Sequence, residues 1–197
     1  VLFERLVPRP ALRWAASSAL VATGLLIAPA AIPVLPPETL IRYQAALGVT
    51  PSRDERKAYN PLAQHLADQF GWPELVDTVE QAARSLPETE RADAVVFAQN
   101  YGEAAALELL GEGRVPPVLS GHNNYFLWSR ERLSQGPLLV LGPHEERLRE
   151  LCSEVSLVAT TPDQPHAMPY ENRLPIYLCR GLRLRPEELW PRVRHFE

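Results

Sequence analysis

The sequence lacks the surplus of basic residues that a nucleic-acid-binding surface needs. Its 197 residues include 20 Lys and Arg against 24 Asp and Glu, which gives a formal net charge of −4. Because a protein binds nucleic acid through a basic patch that neutralises phosphates, this balance argues against DNA or RNA as a partner. Internal repeats and low-complexity tracts are also missing, and the 46% hydrophobic and 22% charged residues are typical of a globular protein.

Short motifs that mark several large enzyme classes are missing as well. The segment NYGEAA (100–105) has one glycine where the dinucleotide fingerprint G-x-G-x-x-G needs three. The segment LSGHN (119–123) lacks the G-x-S-x-G of a nucleophile elbow. The five histidines have no ligand spacing such as H-E-x-x-H, so we predict no metal ion and no cofactor. A soluble dehydrogenase or hydrolase is therefore disfavoured.

Cysteine is scarce, and its two residues leave the question of a disulfide open. Cys152 is predicted on a helix and Cys179 on a strand. Outside the cytoplasm the two side chains could form a disulfide. Two buried thiols are the other interpretation, and the sequence does not decide between them.

The longest uncharged stretch lies close to the N-terminus. From Trp14 to Leu35 the sequence has 22 residues without a formal charge, about the length that crosses ~30 Å of hydrocarbon as a helix. Arginines precede it at positions 5, 9 and 13, so the positive-inside rule places Val1 in the cytoplasm and the chain after about residue 36 outside it. Pro29 and Pro33 are expected to bend or end the helix near its outer end.

Two other interpretations of this stretch stay open. A cleaved signal peptide has a shorter apolar core and a small-residue cleavage site, for which the APA at 28–30 is a candidate. A buried, Ala-rich core helix of a soluble protein is the second. We expect a membrane span, because its length fits. No second hydrophobic stretch of that length follows, so the rest of the chain is expected to be an extracytoplasmic soluble domain. Residues 1–37 are then a cytoplasmic flank and transmembrane helix, and residues 38–197 an extracytoplasmic domain.

Apolar residues after position 60 alternate between helical spacing and short continuous runs. Helical spacing predicts helices within residues 62–70, 73–87, 103–110, 145–152 and 187–193. Continuous runs bounded by Gly or Pro predict strands over residues 94–98, 118–119, 138–141, 155–159 and 176–179. Such an alternation indicates a sheet covered on both faces.

We therefore predict an α/β fold, a small three-layer sandwich with a mostly parallel sheet of about five strands, preceded by one transmembrane helix. The last strand follows its neighbour through a loop without a clear helix, which allows it to be antiparallel.

Polar side chains cluster where the predicted strands end. In an open α/β sheet, ligands bind beyond the carboxyl ends of the strands. Amide, phenol and carboxylate groups suit the hydroxyls of a sugar, because each donates or accepts in a defined direction. The candidates for ligand contact form three clusters: Gln99, Asn100, Tyr101 and Glu103; Ser120, His122, Asn123 and Asn124; and Tyr170, Glu171 and Asn172.

A structural interpretation competes with this binding interpretation. Asn residues after a strand often cap helices and close turns. Tyr101 and Tyr125 can equally be core rings with their hydroxyls at the rim. If the first cluster does bind, the N–H groups at the start of the following helix are expected to hold an anion or a hydroxyl-rich ligand.

Several segments together resemble one protein family. They are LPPETLIRYQAALGV (35–49), FAQNYGEAAAL (97–107), SGHNNYFLW (120–128) and, within 168–182, MPYEN and PIYLCRGL. They are similar to the C-terminal extracytoplasmic domain, with the last membrane helix, of bacterial membrane glycosyltransferases. That family is described as dolichyl-phosphate-mannose–protein mannosyltransferase-like and is related to aminoarabinose lipid A transferases. The resemblance covers nearly the whole chain, and its motifs are distinctive in combination, although none is catalytic by itself.

The resemblance implies a GT-C enzyme of the bacterial inner membrane. Such an enzyme takes a sugar from a polyprenyl-phosphate carrier and passes it to a glycan or protein acceptor on the periplasmic face. The family's catalytic carboxylate lies in the first extracytoplasmic loop of a many-helix membrane domain, and no residue here matches that loop. We therefore assign no catalytic residue and expect the chain alone to be inactive. Val1, where a start Met is missing, fits this expectation of a fragment.

A second class of function is the alternative to an enzyme. A single-span, membrane-anchored α/β module would bind a ligand or a partner without catalysis, with membrane lipid around its helix. What precedes Val1 in the gene separates the two interpretations. Several hundred codons encoding membrane spans favour the enzyme, and a nearby start codon favours the module.

Overall fold

The structure, a computed structural model, describes residues 9–49, 60–129 and 132–196. The chain divides into two compact units, residues 1–67 and 68–197. The first unit contains α1 (Pro10–Ala31), α2 (Pro37–Ala46) and α3 (Gln64–Ala67). The second unit contains a five-stranded sheet and the helices that cover it.

α1 is long and apolar enough to cross a membrane. Its 22 residues, none of which is buried, extend about 33 Å at 1.5 Å per residue. The helix ends at Ala31, four residues before the predicted end at Leu35. It ends there because Ile32 precedes Pro33 and takes an extended conformation (φ −116°, ψ 143°). The expected membrane-length helix is thus present, and its exposure argues against a buried core helix.

α2 satisfies part of the backbone at the end of α1. The last four carbonyls of a helix have no intrahelical partner, and Pro33 has no N–H to offer one of them. The side-chain amide of Gln44 donates to one of these carbonyls, that of Ala30, at 2.9 Å, and the hydroxyl of Tyr43 donates to the carbonyl of Leu26, one turn earlier, at 2.6 Å. These two side chains fix α2 against the last two turns of α1.

Strands and helices alternate along the second unit. In chain order they are α4 (Trp72–Arg84), α5 (Glu88–Arg91), β1 (Val95–Ala98), α6 (Tyr101–Gly111), β2 (Val118–Ser120), α7 (Tyr125–Trp128), β3 (Leu138–Leu141), α8 (Glu145–Leu151), β4 (Cys152–Thr160), β5 (Pro175–Leu182) and α9 (Pro186–Val193). The strands form one sheet in the order β2-β1-β3-β5-β4. The predicted α/β class and the sheet of about five strands are confirmed.

Four of the five strands run in one direction. β1 pairs in parallel with β2 and β3, whereas β5 pairs antiparallel with β3 and β4. The prediction of a mostly parallel sheet therefore holds approximately: two ladders are parallel and two are not. β5 is antiparallel to β4 because a direct loop, without a crossover helix, returns the chain in the opposite direction.

Hydrophobic cores fill both faces of the sheet, since alternate residues of a strand point to opposite faces. On one face, Val96, Leu139 and Ile176 pack with side chains of α4 and α6. On the other face, Val140 and Tyr177 pack with side chains of α7, α8 and α9. The helices thus lie on both sides of the sheet, as the three-layer prediction requires.

A disulfide joins β4 to β5. Cys152 and Cys179 are bonded, with their Cα atoms 5.7 Å apart, and both residues are buried. The structure thus selects the disulfide from the two interpretations of the sequence. The prediction of a helix at Cys152 is wrong, because α8 ends at Leu151 and Cys152 is extended (φ −120°, ψ 149°). α8 and β4 follow each other without a loop, so no turn residue marks the boundary.

Removing the disulfide should destabilise the second unit. The bridged residues are 27 positions apart, and closing a loop of that length in the unfolded chain is worth about 3.5 kcal/mol. We expect the variant Cys152→Ala/Cys179→Ala to lose roughly that much free energy of unfolding, measured by urea titration of the full chain in detergent. Reduction of the unaltered chain should match the double variant. Equal stability of all forms would contradict a structural role for the bridge.

Candidate functional site

The first polar cluster caps the helix that follows β1. Asn100 is the N-cap residue of α6, and its Oδ1 accepts a hydrogen bond from the N–H of Glu103 at 2.9 Å. This acceptor satisfies one of the N–H groups that a helix start leaves without an intrahelical partner. The Asn-x-x-Glu spacing is that of a capping box. Here, however, the carboxylate of Glu103 bonds the N–H of Gln99, one residue before the N-cap.

Three donors converge on the carboxylate of Glu103, which is fully buried. The backbone N–H of Gln99 donates to Oε2 at 2.8 Å, and the side-chain amide of Gln99 donates to Oε1 at 2.9 Å. The side-chain amide of Asn100 adds a longer bond to Oε1, at 3.3 Å. Burying a carboxylate is costly unless hydrogen bonds replace its hydration. The end of β1 and the start of α6 are therefore tied together at this one group.

The side chain of Gln99 occupies space that is free because residue 142 is a glycine. Gly142 lies directly after β3 with φ 98°, a conformation that favours glycine. A Cβ at this position would lie 2.3 Å from Cδ of Gln99. The Gln99 amide therefore reaches from the end of β1 to the end of β3, and the first cluster spans two strands.

Ser120 of the second cluster is the last residue of β2, and it pairs with Ser129. Both serines are buried. Oγ of Ser129 accepts a hydrogen bond from the N–H of Ser120 at 3.3 Å and donates to the carbonyl of Tyr125. Oγ of Ser120 accepts from the N–H of His122 at 3.2 Å. Because β2 is an edge strand, these side chains supply partners that a further strand would otherwise supply.

His122 joins the two clusters. Its Nδ1 accepts a hydrogen bond from the N–H of Tyr101 at 3.4 Å, and the two rings lie 5.0 Å apart. With Nδ1 as an acceptor, the proton of the neutral imidazole is on Nε2. On its other side His122 stacks on His195, with centroids 4.7 Å apart and planes at 16°. Tyr101, His122 and His195 form a continuous row of rings beyond β1 and β2.

The C-terminal segment reaches this row along the end of β2. The N–H of His195 donates to the carbonyl of Gly121, and the N–H of Asn123 donates to the carbonyl of His195, both at 3.0 Å. A Cβ at Gly121 would lie 1.9 Å from the carbonyl oxygen of Val193, so only glycine permits this approach. The sequence gives no role to Ser129 or His195. The one signal is Gly121 itself, since glycine next to a strand often marks a close backbone approach.

The asparagines of the second cluster shape a turn. Asn123 has a left-handed backbone (φ 49°), which Asn tolerates better than most residues. Asn124 precedes α7, and its carbonyl accepts from the N–H of Leu127 at 3.0 Å. Asn124 is exposed, so this residue presents a side-chain amide at the surface.

The third cluster shapes the loop between β4 and β5. The side chain of Asn172 accepts from the N–H of Gln164 at 2.8 Å and donates to Asp163 at 2.9 Å, which closes the loop on itself. Tyr170 and Glu171 are half-buried in the same loop. The loop lies at the same edge of the sheet as the first two clusters, because β5 begins opposite the end of β3.

Exposure separates the residues that can contact a ligand from those that hold the fold. The buried members of the first two clusters are Asn100, Glu103, Ser120 and His122. Tyr101 is 50% exposed, and its ring is held in place by the helix cap and by His122. The N–H groups of Tyr101 and Glu103 are bonded within the protein, so the start of α6 is poorly suited to hold an anion. Within the described ranges, no group of three His, Cys, Asp or Glu side chains is arranged to hold a metal ion.

Glu103→Gln tests the role of the buried carboxylate. The variant places an amide donor where all three neighbours donate, so we expect a loss of about 1–3 kcal/mol in the free energy of unfolding. Glu146→Gln, at an exposed position of α8, is the matched control and should change stability by less than about 0.5 kcal/mol. Urea titration of the full chain measures both. Wild-type stability in Glu103→Gln would show that the carboxylate does not secure this edge.

The three polar clusters therefore share one edge of the sheet, and two of them are in direct contact. No protein-family model, curated protein or solved structure matches the chain.

Proposed function

We propose that the chain is the extracytoplasmic domain, with its membrane helix, of a glycosyltransferase that moves a sugar from a polyprenyl-phosphate carrier to a glycan or protein acceptor. One observation supports this proposal above the others: family-like segments that are distant in sequence meet at one edge of the sheet. Residues 97–107 and 120–128 are joined through Tyr101 and His122. Residues 168–172 lie in the loop that returns to the same edge.

The disulfide supports an extracytoplasmic position for the second unit. Disulfides persist in oxidising compartments and are rare in the cytoplasm. The Cys152–Cys179 bridge lies in the unit that follows the apolar helix α1. Arginines on the N-terminal side of α1 favour a cytoplasmic N-terminus. We therefore propose that α1 lies in a bacterial inner membrane and that the sheet lies on its periplasmic side.

In this proposal the carboxyl edge of the sheet contacts the sugar or the acceptor, and catalysis belongs to a membrane part outside this chain. Glu103 is buried and accepts three hydrogen bonds, so its carboxylate is engaged in structure rather than in proton transfer. Tyr101 is the side chain best placed for contact. Its half-exposed ring can pack on the C–H face of a sugar, while its hydroxyl can donate or accept a hydrogen bond.

A single-span ligand-binding module is the second candidate. The two-sided hydrophobic core favours it, because the second unit builds a complete interior on both faces of its own sheet. Such a module would bind a ligand at the same edge and transfer nothing.

Replacing Tyr101 in the complete protein tests the enzyme proposal. Tyr101→Ala should lower sugar transfer at least about tenfold, which corresponds to ~1.4 kcal/mol of transition-state binding. Leu109→Ala is the control on the same helix, since Leu109 is 74% exposed. Transfer is measured in membrane fractions with radiolabelled polyprenyl-phosphate sugars. Unchanged transfer by Tyr101→Ala would remove this edge from the site. Absence of transfer by the unaltered complete protein would favour the binding module.

Reporter fusions test the orientation of α1. Alkaline phosphatase becomes active only where its disulfides form, so a fusion after Phe196 should be active. Green fluorescent protein fused at the same position should not fluoresce, because it would be exported unfolded. Both reporters should give the opposite result when fused ahead of α1. Fluorescence from the C-terminal fusion in the membrane fraction would place the sheet in the cytoplasm and contradict the proposed orientation.

A further inference from the structure

A cleft lies beside the start of β2, at the opposite end of the strand from Ser120. Its volume is about 490 Å³, within the range of small-molecule sites. Leu107 of α6 and the segment from Val115 to Val118, which contains two prolines, line it with apolar groups. Glu108 and Arg132 complete the lining with charged groups. The cleft thus combines an apolar floor with a charged pair, as ligand sites commonly do.

The two charged side chains of the cleft neutralise each other in a fixed arrangement. Nη1 of Arg132 donates to Oε1 of Glu108 and, at 3.1 Å, to the carbonyl of Val118. The hydroxyl of Tyr125 donates to the other carboxylate oxygen of Glu108 at 3.2 Å. Burial, and then the negative charge of Glu108, raise the pKa of Tyr125, so the phenol stays protonated as a donor. The net charge of this group of side chains is zero.

Unused hydrogen-bonding capacity remains on this pair. In the part of the chain that the structure describes, Nε and Nη2 of Arg132 donate to no other protein group, and the Arg132 side chain is 43% exposed. Each carboxylate oxygen of Glu108 accepts one of the bonds described and has a further lone pair. A ligand in the cleft would therefore meet donors and acceptors side by side.

An exposed aromatic ring lies next to the pair. Trp128 is 63% exposed, and its ring centroid is 5.3 Å from that of Tyr125. Tyr125 in turn bonds Glu108. The indole of Trp128 therefore contacts the phenol of Tyr125, and the phenol contacts the Glu108–Arg132 ion pair. An indole presents a flat apolar face that packs against C–H groups of a ring.

This chemistry selects a neutral ligand rich in hydroxyls. An anion would be attracted by Arg132 and repelled by Glu108. A cation would be attracted by Glu108 and repelled by Arg132. A wholly apolar ligand would remove water from both charges without replacing their hydrogen bonds, which is costly. The vicinal hydroxyls of a sugar can donate to the carboxylate and accept from the guanidinium while its C–H face packs on Trp128.

We propose that the cleft lined by Glu108 and Arg132, together with the neighbouring Tyr125 and Trp128, is a saccharide-binding site separate from the carboxyl edge of the sheet. The site does not depend on the glycosyltransferase proposal, because a binding module would use it in the same way. It adds a second point of contact with carbohydrate on the same unit.

The four tryptophans of the chain provide the readout. The full chain, in a detergent without a sugar head group, is titrated with maltose, cellobiose and methyl α-mannoside while the indole N–H signals are followed by NMR. We expect the Trp128 signal to shift with a dissociation constant of about 1–10 mM for at least one of these sugars. Trp72 and Trp190 are internal controls, since the indole N–H of Trp72 donates to the carbonyl of Asp68 and that of Trp190 to the carbonyl of Phe126, and their signals should stay in place.

Matched variants decide whether the ion pair binds the sugar. Arg132→Gln should weaken binding at least about tenfold, or ~1.4 kcal/mol. Arg149→Gln, which removes an ion pair with Glu145 on the solvent side of α8, should not. Glu108→Gln replaces Arg132→Gln if the latter fails to give a dispersed spectrum. The proposal fails if no sugar shifts Trp128, if inorganic phosphate shifts it instead, or if Arg132→Gln and Arg149→Gln bind equally well.

Discussion

The buried carboxylate of Glu103 is the interaction on which the carboxyl edge of the sheet depends. A charged group in the interior has to exchange water for protein donors, and here the donors come from the residues that end β1 and begin α6. The side chain of Gln99 points towards Gly142, and Tyr101 points outwards beside His122. The carboxylate thus ties the end of β1 to the start of α6 through three hydrogen bonds.

The short helix α7 connects this edge with the cleft beside β2. On one side its Tyr125 carbonyl accepts from Ser129, which caps the edge of β2, and on the other its phenol bonds Glu108. Phe126 stacks on Trp190 of α9, with planes at 6°, so the helix is also fastened to the second core. The four residues of α7 thus contact both the carboxyl edge and the cleft. A substitution in α7 would therefore alter both the carboxyl edge and the cleft.

Much of this arrangement was accessible from the sequence, and the reasons for the failures are physical. Periodicity predicted β1, β3 and α4 closely, because apolar spacing reports directly on burial. The sequence also allows the capping role of Asn100, because an Asn directly after a strand is a common N-cap residue. The contacts of His122 with His195, and of Ser120 with Ser129, join residues that come together only when the chain folds. The periodicity of apolar residues predicts single helices and strands, and it does not predict contacts between residues distant in sequence.

The sequence does not predict the helix–strand boundary at Cys152 or the helix α7, and the reason is local. α8 passes directly into β4, and α7 is a single turn, so neither has the repeating pattern from which elements are recognised. The meeting of two clusters at the carboxyl edge was foreseeable from the rule for open α/β sheets. That His122 would be buried was not foreseeable, because the C-terminal segment packs over Gly121 and stacks His195 on His122 only in the folded chain.

The bridge between Cys152 and Cys179 has a consequence for the loop that it encloses. The two cysteines lie on either side of residues 161–174, so the loop, both strands and the bridge form a closed covalent ring. Within that ring the loop can lengthen, shorten or even be cut by a protease without β4 and β5 coming apart. The bridge thereby lets the sequence of the third polar cluster change while the sheet beneath it is kept.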